Sequence, residues 1–80
     1  MTQYLLRRLP DTRSWLGRRS HYEVACIHDG ADAPEWTRET RRPHSFLRHE
    51  GMHPTDIYDC VTNAENAWDG GVGEWASPNR

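Results

Sequence analysis

Leu, Ile, Val and Phe together fill only eleven of the eighty positions, and that scarcity limits any core the chain can build. So low a density is usual in disordered polypeptides. Four Trp and three Tyr add large apolar areas, and the net charge is only −2, which favours a folded state. Area scaling at 9.4 kDa gives about 5,000 Å² folded against roughly 13,600 Å² unfolded, so about 63% of the surface can be buried. The expectation is a single small domain over residues 1–80, with residues 70–80 as a flexible arm. A membrane span, a coiled coil, a repeat array and a large catalytic scaffold are all excluded.

Periodicity predicts one helix from Pro54 to Asp69. Ile57, Val61, Ala64 and Trp68 recur at helical spacing, Pro54 suits a first helical position, and Gly70-Gly71 stops the helix. His21–His28 alternates as a strand, with Tyr22, Val24 and Cys26 on one face. Asp29–Pro34 is a loop by its turn residues, and Trp36–Arg41 alternates again, so the two segments suit a hairpin with a long connection. Gln3–Leu9 is a weaker strand candidate that Pro10 ends, with a short helix as the competing reading. Residues 10–20 read as a loop. The tail from Gly71 to Pro78 reads as an edge strand or an arm anchored by Trp75. The expected class is α+β: a small antiparallel sheet of two to three strands packed against one helix in the C-terminal half. Ordering costs of roughly 1.5 kcal/mol per residue leave such a core little margin, so a partner, a homodimer or a metal staple would fit it.

All ten cationic residues other than His are Arg, a side chain suited to bidentate contact with phosphate or carboxylate. Charge is segregated: residues 1–21 carry +4, 22–37 carry −4, 38–49 carry +3 and 50–80 carry −5. In the first block Arg7, Arg8, Arg13, Arg18 and Arg19 surround Trp15, a combination that suits phosphate contact and base stacking. Asp56, Asp59, Glu65, Asp69 and Glu74 could imitate a row of phosphates, or could be ordinary solvated surface. The two cysteines, Cys26 and Cys60, form no C-x-x-C pair, and apolar runs are too short for a signal peptide. A cytoplasmic protein with reduced thiols is expected.

His49-Glu50-Gly51-Met52-His53 spells H-E-x-x-H, and Asp59 stands where a metzincin places its third ligand, so this stretch resembles the zincin metalloproteases. That chemistry needs both imidazoles on one helical turn. Pro54 disfavours helix at His53, and Gly51 weakens the same turn by about 1 kcal/mol. The match therefore reads as coincidental, with no catalytic residue assigned and a minimal metalloprotease kept as a remote alternative. A structural zinc site on Cys26, His28, His49 and His53, with Cys60 and His44 as alternates, is a softer reading. It would make the chain a zinc-binding mini-domain touching nucleic acid through its N-terminal arginines. Otherwise no cofactor is expected.

Size, lack of a catalytic constellation and segregated Arg and Asp/Glu blocks resemble small accessory proteins of phages and mobile elements, anti-CRISPR proteins among them. The resemblance implies a thin, non-enzymatic domain that binds a larger host machine and blocks it. The leading expectation is thus a protein-binding module that inhibits or modulates a nucleic-acid-associated complex. Trp15, Arg18, Arg19, Trp36, Arg38 and Trp75 are the candidate contacts, because exposed Trp and Arg dominate interface energetics. Expected partners are a protein or nucleoprotein complex, with direct nucleic-acid contact as the alternative and no membrane association.

Overall fold

The computed structural model describes residues 2–79. Three strands come first, β1 (Thr2–Ser14), β2 (Gly17–His28) and β3 (Trp36–Thr40), followed by two helices, α1 (Pro43–His49) and α2 (Pro54–Asn66). The sheet is antiparallel in the order β1-β2-β3. The class is therefore α+β, as the alternating patterns imply, with one helix more than expected.

Register places the helix-facing side chains in rows: Tyr4, Cys26 and Trp36, then Leu6, Val24 and Arg38, then Arg8, Tyr22 and Thr40. Leu6, Tyr22 and Val24 meet Leu47 of α1 and Ile57, Cys60 and Ala64 of α2 in one buried cluster that Ala76 completes. Tyr4, Trp36, Phe46, Met52 and Val61 pack around its rim, half-buried. Both thiols are buried and free. Burial holds the Cys60 thiol up at about 11, and its Sγ donates to the Ala76 carbonyl at 3.4 Å.

Several expected boundaries are corrected. Pro10 does not end β1: the register shifts between Leu9 and Thr12, so Pro10 and Asp11 form a bulge. Among the described residues β1 has no full strand on its outer side, and there a proline's missing N–H breaks no ladder. The bulge also turns Asp11 onto the face of Arg8, with which it pairs. Residues 10–20 are therefore the far half of a β1–β2 hairpin and not a loop, and β2 starts at Gly17, ahead of His21. Helix α2 ends at Asn66, short of Asp69, and Trp68 leaves the apolar stripe to cover Arg8 instead of joining the core. Helix α1 was not expected, since its seven residues are too few for a periodic signal and only Phe46 and Leu47 are apolar apart from Pro43.

The C-terminal segment runs back along β1. Leu6 and Ala76 exchange backbone hydrogen bonds at 2.9 and 2.7 Å, and Gly73 N–H donates to the Arg8 carbonyl at 2.7 Å. Strand β3 pairs only with residues 22–26 of β2. Among the described residues the hairpin beyond that point has no third strand beside it, and the domain measures 41 × 24 × 21 Å. Its surface of 5573 Å² exceeds the roughly 5,000 Å² expected for its mass. No helix among the described residues is long and apolar enough to cross a membrane.

Candidate partner-binding surface

The hairpin tip is made by two strands that outrun the rest of the sheet. Ser14 lies opposite Gly17, leaving Trp15 and Leu16 as the link. The Ser14 hydroxyl accepts from Leu16 N–H at 3.2 Å and donates to the Gly17 carbonyl at 3.3 Å, which ties the turn. Trp15 is 92% exposed and Leu16 63%. Trp15 is the most exposed of the large apolar side chains among the described residues.

The arginines below the tip sharpen this. Arg13 stands directly opposite Arg18, and Thr12 opposite Arg19. Like charges facing each other across strands are unfavourable, and Arg13, Arg18 and Arg19 have no carboxylate partner among the described residues. The other two arginines of the first block are taken up within the fold. Arg7 donates to Glu23 at 2.7 Å and lies 4.4 Å from the Trp75 ring. Arg8 is only 4% exposed. It pairs with Asp11 and with Glu65 at 3.3 Å, and its guanidinium sits 3.9 Å from Trp68 and 5.2 Å from Tyr22. Tyr22 in turn donates to Glu65; burial first, then that carboxylate, pushes its hydroxyl up to about 12.

The six candidate contacts are thus divided. Trp15, Arg18 and Arg19 are brought together on the tip, where Arg13 and Leu16 join them. Trp36 is half-buried between Tyr4 and Phe46, with ring centroids at 6.3 and 6.0 Å, and Arg38 lies over it at 5.3 Å. Trp75 is half-buried under Arg7 on the tail. Leu16 was missed; it looked like any loop residue, although Ser14 and Gly17 around it were the available turn signal. The acidic row is broken, because Glu65 is turned inward to Arg8 and Tyr22 and Asp69 accepts from Gly71 N–H.

The zincin geometry is not built. His49 ends α1, the chain turns through Gly51 at φ +97°, and His53 is the N-cap of α2, its Nδ1 accepting from Thr55 N–H at 3.1 Å. The two imidazoles sit on different helix ends instead of sharing one face. The softer zinc set is dispersed too: Cys26 is buried under the sheet's helix face, and His28 pairs with Glu35. Among the described residues no three His, Cys, Asp or Glu side chains are grouped to hold a metal ion.

No family model, curated protein or solved structure matches this chain.

Proposed function

We propose that the chain is a non-enzymatic protein-binding module that inhibits or modulates a nucleic-acid-associated complex, in the manner of anti-CRISPR proteins, and that it binds through its hairpin tip. The observation that carries this reading is the exposed Trp15 at the turn, with Arg13, Arg18 and Arg19 on the strands just below it, none of them with a carboxylate partner among the described residues. Such a tip offers an apolar anchor and a cationic collar, the pairing found at interface hot spots, and it suits the acidic or phosphate-lined groove of a nucleic-acid-handling machine. Contact at the tip leaves the core undisturbed, which matters in a domain with so thin an interior.

Affinity capture from a bacterial lysate, with and without nuclease, tests this against the Trp15→Ala/Arg18→Ala/Arg19→Ala variant, whose fold is checked by circular dichroism. The proposal predicts a nuclease-resistant complex captured by the wild type and lost by the variant. Capture that nuclease abolishes would move the reading to direct nucleic-acid binding. Equal capture by the folded variant, or no capture by the wild type, would overturn it.

A further inference from the structure

The sheet has a second feature that the tip does not use. Strand β3 is its free edge: β2 lies on one side and, among the described residues, no strand on the other, so half of its backbone N–H and C=O groups point outward. Beside that edge, between β3 and α1, lies an open cleft of about 620 Å³. Trp36, Arg38 and Thr40 supply the β3 wall, and Arg42, Phe46 and His49 face them. Its floor is aromatic, with Trp36 edge-on to Phe46. Its rim is cationic. Arg38 and Arg42 have no carboxylate partner among the described residues, and the Thr40 hydroxyl accepts from Arg42 N–H at 3.0 Å, fixing the bend that sets Arg42 beside Thr40. The one acid in the cleft, Glu50, accepts a hydrogen bond from the Tyr4 hydroxyl at 3.3 Å.

We propose that this cleft is a peptide groove that takes an extended acidic segment of a partner protein as a fourth strand on β3. An edge strand lying beside a helix is the arrangement used in β-strand addition, where main-chain hydrogen bonds give affinity and alternate side chains give specificity. The five residues of β3 span about 17 Å at roughly 3.3 Å each, enough to pair with a five-residue core. Its cleft-facing side chains alternate, so the guest reads apolar opposite Trp36 and acidic opposite Arg38 and Thr40, next to Arg42. A nucleic-acid strand fits less well: it makes no use of a strand edge, and Glu50 opposes a continuous run of phosphates. None of the residues lining this cleft belongs to the tip, so the groove stands whether or not the tip is a contact surface.

The test is an amide-resolved NMR titration of the intact chain with the blocked nonapeptide Glu-Thr-Glu-Thr-Leu-Thr-Glu-Thr-Glu, which presents the same pattern in either strand direction. The proposal predicts saturable shifts confined to residues 36–50. It predicts a loss of at least about tenfold in affinity, or 1.4 kcal/mol, for Arg38→Gln/Arg42→Gln. Replacing the four glutamates by lysine abolishes binding, and N-methylating one alternate set of peptide amides abolishes it while the other set does not. No saturable binding, shifts centred elsewhere, or indifference to the folded double variant would overturn the proposal. So would insensitivity to N-methylation, or tighter binding of oligo(dT) in the same cleft.

Discussion

Arg8 is the residue on which the helix-facing side of the sheet depends most. Its guanidinium is buried among Asp11, Glu65, Trp68 and Tyr22, and its Nε has no hydrogen-bond partner among the described residues. Asp11 and Glu65 keep 26% and 37% exposure, so Arg8→Ala should cost about 2–4 kcal/mol, somewhat less than the roughly 3–5 kcal/mol of breaking a fully buried pair. Arg8→Met restores packing against Trp68 and should cost less; urea midpoints for the pair check this. Tyr22 adds a pH dependence with a definite sign. Its folded-state pKa of about 12 lies above the ordinary 10.0, so the stability it contributes is complete below pH 10 and lost as pH rises towards 12. Tyr22→Phe should reduce that alkaline loss, leaving the parts due to Tyr4, which burial and Glu50 also push up, and to the Cys60 and Cys26 thiols, which burial raises. None of this was legible in the sequence. Arg8 and Arg13 are the same letter in one basic block, and what separates them is position along the hairpin: Glu65, Trp68 and Tyr22 enclose Arg8, while Arg13 stands next to the turn.

Among the elements, α2 could be read directly because Ile57, Cys60 and Ala64 mark its buried stripe and Pro54 its start. Trp68 misled because helical spacing extends to it, although the helix has already ended. Helix α1 could not be read, and its hold on the fold is Leu47, fully buried in the central cluster. Leu47→Ala should cost about 2–4 kcal/mol, seen as a lowered thermal midpoint and loss of chemical-shift dispersion for Trp36 and Phe46. The tail is held differently, by close backbone approach. A Cβ on Gly73 would lie 2.9 Å from the Arg8 carbonyl oxygen, so Gly73→Ala should lift the tail from β1. Ala76 then no longer covers Cys60. In the wild type that thiol is fully buried and held protonated, so labelling by a thiol reagent should be slow, and Gly73→Ala should speed it markedly.

At the scale of the molecule, a thin two-layer core supports a hairpin too long for it. The overall class was legible, and so was the nearness of Trp15, Arg18 and Arg19 along the chain, because segregated arginine beside an indole is a property of the sequence itself. Which arginines are satisfied within the fold was not, since that depends on strand register. The tip contributes exposed charge and little packing, so Trp15→Ala/Arg18→Ala/Arg19→Ala should keep stability within about 0.5 kcal/mol of wild type, or raise it slightly as the Arg13–Arg18 repulsion is relieved. Association through such a tip should slow as salt rises, because exposed charges steer encounter only within a Debye length of about 10 Å at 0.1 M salt. The most direct measurement is amide hydrogen exchange on the chain alone and within the complex it captures. The account predicts new protection at residues 12–19 with the rates of α2 unchanged; protection confined to the helices, or none at the tip, would contradict it.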